Sequence, residues 1–399
     1  MTVDTSKTTI EKLIDRGTGQ VTVEKDLRKK LASGKVLRIK HGIDPTTPDL
    51  HLGYAVVYEK LRQFQEAGHK IVFLIGDYTG RFGDPTDKDE AREMRSAAEV
   101  KKLAKKYIDQ VGIILDLKKT EIRYNSEWYD KMSAEELLHI MSEFTAARVL
   151  ERDMFQERMK EKQDIRLHEL VYPVLQGYDS VMLKSDATVI GSDQIFNELQ
   201  ARGLQEVRKQ VPQDLVAVPL LIGTDGKMKM SQSLGNYIGL ADKPKDMYGK
   251  IMSIPDNLIA DYFEYLARIS DAELLEIKKQ LKDSKTNPRD LKARLAHQIV
   301  SQYHSEAKAD KAAKEFTNVF QKHEVPTDVK EYKIAAGTVN IFDLLTETGL
   351  TQSKSEARRL IQQNAVSFEG KKIIEEQIEM TESGVLQVGK RRFLKIVIG

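Results

Sequence analysis

"VLRIKHGIDPTTPDLHLGYAVVYEKLRQFQEAGHKIVFLIGD", residues 36–77, reads as three pieces joined by short turns. VLRIKHGI (36–43) has the character of a strand. LGYAVVYEKLRQFQEAG (52–68) places Leu52, Val56, Leu61 and Phe64 near helical spacing, and KIVFLIGD (70–77) is a continuous apolar run. Continuous rather than alternating apolarity suits a parallel strand covered on both faces. The three pieces therefore make a βαβ unit, and the turn inside it, DPTTPDLHLG, sets a histidine and a bare glycine at the start of the helix.

Working outward, VGIILD (111–116), ATVIGSDQ (187–194) and LVAVPLLIGTDG (215–226) read as further strands, with a long polar helical stretch from Ala134 to Lys162. Together they predict an α/β fold, a Rossmann-like doubly wound parallel sheet spanning 1–222 with a helical connecting insertion at about 120–170. Beyond Leu234 helices dominate, including 288–321, which opens on Pro288. An α-helical domain is expected over 223–323, a polar linker over 324–337 and a small α+β domain over 338–399. No repeat or low-complexity tract interrupts this order.

Composition bounds the function classes. At 399 residues the chain is long enough for two or three domains. With 40% hydrophobic and 31% charged residues, and no run near the ~20 apolar residues of a membrane span, it reads as a globular protein without a membrane partner. Its first residues lack both the apolar core of a secretory signal and the Arg-rich character of a transit peptide, so a cytoplasmic location is expected. The absence of cysteine excludes disulfides, thiolate metal sites and a cysteine nucleophile. A net charge of +2 neither favours nor excludes a nucleic-acid partner, which would have to meet a local patch.

Ligands of open parallel sheets bind at the carboxyl ends of the strands, where helix N-termini offer free backbone N–H groups to anions. His51 and Gly53 lie at such a junction. Glycine lets a base or phosphate approach the backbone, and an imidazole can donate to a phosphate oxygen. The plain alternative is that Asp49 caps the helix and His51 is a polar first-turn residue. A second stretch, GTDGKMKMSQSLGN (223–236), is a lysine-rich loop after an apolar run, able to follow charge on a phosphate during displacement. Walker, G-x-G-x-x-G and H-E-x-x-H sequences are absent, which sets aside the common nucleotide and metal motifs and a dinucleotide oxidoreductase.

With both stretches in view, the chain resembles the class I aminoacyl-tRNA synthetases, whose HIGH-like and KMSKS-like motifs embrace ATP. Here these read HLGY, His51–Tyr54, and KMSQS, Lys229–Ser233. GDPTDK (83–88), ERDMFQER (151–158), YPVLQGYDS (172–180), GSDQ (191–194) and SLGN (233–236) narrow the resemblance to the bacterial tyrosyl branch. The resemblance implies activation of L-tyrosine by ATP, accompanied by Mg2+, and transfer to the 3′-terminal ribose of tRNA(Tyr) by a homodimer. Neither step needs a protein nucleophile; positioning and preorganised positive charge supply the rate.

By that resemblance, ATP is held by Asp44, Thr46, His51, Gly53, Asp193, Gln194 and Lys229. Tyr54, Ser231, Ser233, Lys88 and Arg92 complete the catalytic set, the last two as basic residues for the phosphates. Asp84, Tyr172, Gln176, Asp179, Gln194 and Lys40 surround the tyrosine, with Asp179 accepting the phenol proton. A site built around a hydroxyl rejects phenylalanine because a buried polar group would otherwise lose its partner.

Three positions depart from the pattern. Tyr54 replaces the second histidine of HIGH, Gln232 replaces the second lysine of KMSKS, and Lys40 stands where many tyrosyl enzymes place a tyrosine, although another branch also has lysine. Removing one hydrogen bond to a phosphate costs about 1–3 kcal/mol, so slow activation is expected. At the C-terminus, residues 340–373 resemble an S4-type RNA-binding module: helix, turn through Ser353–Ser355, second helix, then a hairpin through Glu369–Gly370. Lys354 and Arg358, four apart on one helix face, join Arg359, Lys371, Lys372, Lys390, Arg391 and Arg392 as an expected phosphate-binding surface. Two alternatives stay open: a paralogue that makes an aminoacyl-adenylate for another acceptor, and an RNA-binding protein with an impaired site.

Overall fold

The computed structural model describes residues 2–83, 95–321, 330–389 and 392–399. The chain forms two compact units, Met1–Ser305 and Glu306–Gly399. Asp84, Lys88, Arg92, Lys390 and Arg391 lie outside the described residues.

The first unit is built on a sheet of six strands among the described residues: β1 (Gln20–Thr22), β2 (Arg38–Ile43), β3 (Lys70–Ile75), β4 (Glu121–Tyr124), β5 (Ala187–Gly191) and β6 (Asp214–Val218). Their spatial order is β1-β6-β5-β2-β3-β4, parallel except for β1, which pairs antiparallel with β6. The chain winds outward from β2 through β3 to β4, then returns on the other side of β2 through β5 and β6. This is the doubly wound sheet expected from the sequence. The reversal between β2 and β5 opens a crevice at the carboxyl ends of those strands. Continuous burial of Ile71–Ile75 bears out the two-sided cover inferred from KIVFLIGD.

Several local expectations change. VGIILD is no strand: a helix ends at Val111, turns follow, and the next strand is the half-buried β4 at Glu121–Tyr124. A short apolar run cannot by itself distinguish a helix end from a strand. The stretch from Ala134 to Lys162 is not one helix but three, Ala134–Met141, Ala146–Val149 and Asp153–Lys160, the first two started by the Ser133 and Thr145 side-chain caps. After Val218, Pro219 ends the strand, and the rest of the expected run is loop. The helical pattern of 288–321 divides at His304–Ser305, with Asn287 capping the first helix and Pro288 at its first position. Within the stretch read as linker, Glu331–Ile334 forms a strand.

In the second unit, β7 (Glu331–Ile334), β8 (Gly337–Asn340), β9 (Val366–Phe368), β10 (Lys371–Lys372), β11 (Gln377–Met380), β12 (Gly384–Val388) and β13 (Arg392–Ile398) form two sheets, ordered β10-β9-β12-β13-β7 and β11-β8. Two helices, Ile341–Glu347 and Lys354–Gln362, pack on a core that includes Ile341, Leu345, Ala357, Leu386 and Ile396. Ser353 caps the second helix, and Glu369 and Gly370, both at positive φ, turn β9 into β10. The helix, turn, helix and hairpin order is the one read from the sequence.

Candidate active site

A cavity of about 250 Å3 opens at the crevice between β2 and β5. Lys40, Asp44, Thr46, His51, Gly53, Tyr54, Tyr172, Gln176, Asp179, Asp193, Gln194, Lys229 and Ser231 all line it. The sequence places these residues as much as 191 positions apart; the switch in strand order brings them together. Ser233 does not line the cavity, but its hydroxyl lies 2.9 Å from that of Ser231.

His51, rather than Asp49, caps the helix Leu52–Glu66: its Nδ1 accepts the Gly53 N–H at 3.1 Å. The ring folds back over the first turn, so a Cβ on residue 53 would lie 2.8 Å from His51 Cε1 and 2.9 Å from Nδ1. Any side chain at 53 would push the His51 ring, two residues earlier, from this position. Because Nδ1 accepts, the ring proton sits on Nε2, which can donate to an oxygen in the cavity. Burial, then the neighbouring Lys229 charge, push His51 down to about 4, so the imidazole is neutral near pH 7. Tyr54 lies beside it, ring centroids 4.5 Å apart.

The KMSQS loop is organised by Asn236, which accepts the Ser231 N–H at 2.8 Å and donates to Asp225 Oδ2 at 2.9 Å and to the Lys229 carbonyl at 3.2 Å. Backbone bonds join the loop's far end to the HLGY segment: Leu52 N–H to the Ile238 carbonyl at 2.9 Å and Leu240 N–H to the Leu50 carbonyl at 2.8 Å. Lys229 Nζ lies 3.6 Å from Asp193 Oδ2.

The other end of the cavity is set by the helix Leu167–Leu183, on which Tyr172, Gln176 and Asp179 share one face through spacings of four and three. Tyr172 donates its hydroxyl to Asp44 Oδ2 at 2.8 Å, while Thr79 donates to Asp44 Oδ1 at 2.7 Å. Asp179 is buried and accepts from Trp128 Nε1 at 3.1 Å and Asn125 Nδ2 at 3.4 Å. Burial pushes its carboxyl up to about 7, against the pull of the nearby Lys40 charge. Lys40 is itself buried and donates to Ser180 Oγ at 2.6 Å and to both Glu198 oxygens at 3.0 and 3.1 Å.

Glu198, which no motif in the sequence marks, also accepts from Gln176 Nε2 at 2.9 Å and Gln213 Nε2 at 2.6 Å. Asn197 donates to Gln176 Oε1 at 2.8 Å. A signal for Glu198 exists in its spacing: it stands four residues after Gln194, on the same helical face. Asn125 and Trp128 carry no such signal, since they follow β4, a strand that the apolar pattern places at VGIILD instead.

In the second unit, Lys354 pairs with Asp343, and Arg392 pairs with Glu356 at 3.0 Å. Arg358 stacks over Phe342 at 5.3 Å, and Arg359, Lys371 and Lys372 are exposed. Two of the expected RNA-binding cations are thus drawn into local ion pairs.

The chain is similar to known proteins over nearly its whole length. Residues 32–321 match the family described as tRNA synthetases class I (W and Y), and residues 321–394 match the tyrosine–tRNA ligase SYY-like C-terminal domain. The chain is 49% identical over 387 residues to a tyrosine–tRNA ligase of Idiomarina loihiensis, covering 96% of each chain. It is 44% identical over 393 residues to one of Dehalococcoides mccartyi, covering 98% of this chain and 99% of that one. Its fold resembles a tyrosyl-tRNA synthetase from Archaeoglobus fulgidus solved with L-tyrosine: 25% identity, a TM-score of 0.63, and coverage of 78% of this chain and all of the other.

Proposed function

The chain belongs to the class I tRNA synthetases of the W and Y group, and from that premise we propose how its residues divide the work of ligating tyrosine to tRNA. The observation that carries the assignment is the joining of the HLGY helix start and the KMSQS loop by backbone hydrogen bonds at a cavity also lined by Tyr172, Gln176 and Asp179.

Tyrosine lies with its phenol toward Asp179 and its ammonium toward Tyr172 and Gln176, with Asp84 completing that set. ATP enters past Asp44 and Thr46, and its ribose lies near Asp193 and Gln194. The tyrosine carboxylate attacks the α-phosphate, and pyrophosphate leaves with the bond electrons. His51 Nε2–H and Lys229 Nζ stabilise the charge on the leaving phosphates, with Lys88 and Arg92 adding cations. A ribose hydroxyl at the end of tRNA(Tyr) then attacks the acyl carbon, and AMP departs. Magnesium supplies charge neutralisation on the phosphates. The cavity carboxylates fit an ion carried by nucleotide oxygens and water rather than a protein cage, since Asp44, Asp179 and Glu198 are already engaged by side-chain donors.

The second unit holds the tRNA through Arg358, Arg359, Lys371 and Lys372, joined by Lys390 and Arg391. The finer division of the first unit near residue 222, a homodimer and a cytoplasmic location belong to the same reading. Among the described residues no helix is long and apolar enough to cross a membrane.

Tyrosine-dependent ATP–pyrophosphate exchange, with phenylalanine and no amino acid as controls, followed by charging of bacterial tyrosine tRNA, tests the reading. Exchange with charging is the expected result. Exchange without charging points to another acceptor, and no exchange points to an impaired RNA-binding protein.

A further inference from the structure

Gln232 stands where the resemblance places a second loop lysine, and its side chain is engaged elsewhere. Its Nε2–H donates to the Asp49 carbonyl at 2.6 Å, across 183 residues of sequence. The acceptor is held firmly. Thr47 Oγ1 lies 2.8 Å from Tyr107 Oη and donates to the same Asp49 carbonyl at 3.3 Å, and Leu50 N–H donates to Gln110 Oε1 at 2.7 Å. Tyr107 and Gln110 both belong to the helix Ala97–Val111, so the segment before His51 is pinned to a rigid element. From Gln232 the loop runs back through Ser231 to Met230, whose Cβ is 3.6 Å from the position a Cβ would take at Gly53.

We propose that Gln232 is a positioning residue, a neutral latch that fixes the KMSQS loop on the segment before His51 and so places Lys229 at the cavity before ATP arrives. A lysine at this position adds a cation for the phosphates. The amide instead gives a directional bond to a backbone carbonyl, and its benefit is preorganisation rather than charge. The loop is thereby held at its far end by the backbone bonds of Ile238 and Leu240, and in its middle by this side chain.

The inference rests on the tyrosine-activation reading, and wild-type exchange tests that reading separately. The latch is read on the ligand-free full chain by the rate of tryptic cleavage after Lys227 and Lys229, and in catalysis by single-turnover tyrosyl-adenylate formation over a range of ATP concentrations. Tyrosine affinity is measured alongside by equilibrium dialysis. Gln232→Ala should speed cleavage about fivefold and lower the activation rate about tenfold, with tyrosine affinity unchanged, as loss of one well-aligned hydrogen bond implies. Gln232→Lys keeps an N–H donor and should retain resistance to cleavage after Lys227 and Lys229, scored by fragment mass apart from the tryptic site that the new lysine creates. Unchanged cleavage and unchanged ATP kinetics in Gln232→Ala overturn the latch. Faster activation together with faster cleavage in Gln232→Lys overturns it as well, because charge and not position was then limiting.

Discussion

The Lys40 ammonium lies 3.0 and 3.1 Å from the two oxygens of Glu198, and the pair is almost wholly buried beneath the cavity. Glu198 passes this constraint to Gln176, so a buried ion pair fixes the orientation of a proposed ammonium ligand. Removing one partner leaves an uncompensated buried charge. Glu198→Ala should therefore destabilise the first unit by about 3–5 kcal/mol, whereas the paired replacement Lys40→Met with Glu198→Leu should recover most of that stability. Urea denaturation measures the first effect. The KM for tyrosine should stay raised in the double variant, because Gln176 has lost its partner.

Asp179, as the proposed phenol partner, should give tyrosine binding a pH dependence. Its carboxyl is raised to about 7 by burial, so the anion proposed to accept the phenol hydrogen bond is present above that pH and is lost as pH falls through it. Tyrosine affinity should decline by up to about tenfold per pH unit below 7, with little change for phenylalanine. Lys40 opposes the upward shift, so Lys40→Met should move the midpoint to higher pH. A tyrosine affinity that is flat from about pH 8 to 5.5 would contradict the assignment of Asp179.

Gly53 is fixed by contact rather than by backbone freedom. A methyl group at 53 would press on the His51 ring at 2.8 Å. Gly53→Ala should displace the imidazole and lower the activation rate by about 10- to 100-fold, equivalent to about 1.4–2.7 kcal/mol, while equilibrium tyrosine binding is retained. A loss of tyrosine binding of the same size would mean that the whole helix start had moved.

Burial holds His41 and His51 each down to about 4. An unfolded histidine takes its proton near pH 6.5, so the stability from their neutral burial is complete above 6.5 and is lost as pH falls toward 4. The slope is up to about 1.4 kcal/mol per pH unit for each. Asp179 shifts the opposite way and offsets a similar slope between pH 7 and 4. Urea titrations at about pH 7.5, 6 and 5 should show a loss of stability with acid, made steeper by about one proton in Asp179→Asn. An acid loss no steeper in that variant than in the wild type would show that Asp179 is not the compensating group.

In the second unit, exposed Arg359 and ring-stacked Arg358 are the cations to test for tRNA phosphate contact. Replacing both by alanine should weaken tRNA binding and reduce the slope of log affinity against log salt by about 1–2, with tyrosine-dependent exchange unchanged. An unaltered slope would place the RNA elsewhere.

Residue order alone specifies the βαβ start, the two signature segments and the shared face of Tyr172, Gln176 and Asp179. Each of these is a periodicity or a motif carried on one element, where spacing fixes which side chains lie together. The pattern is weaker where short apolar runs end helices, which is why VGIILD reads as a strand and β4 does not. Packing of the whole chain, and nothing local, sets Lys40 against Glu198 across 158 residues and Gln232 against Asp49 across 183. These pairings depend on the order in which strands lie side by side. A change of strand order moves whole elements while leaving every local spacing untouched, so local pattern carries no record of such contacts.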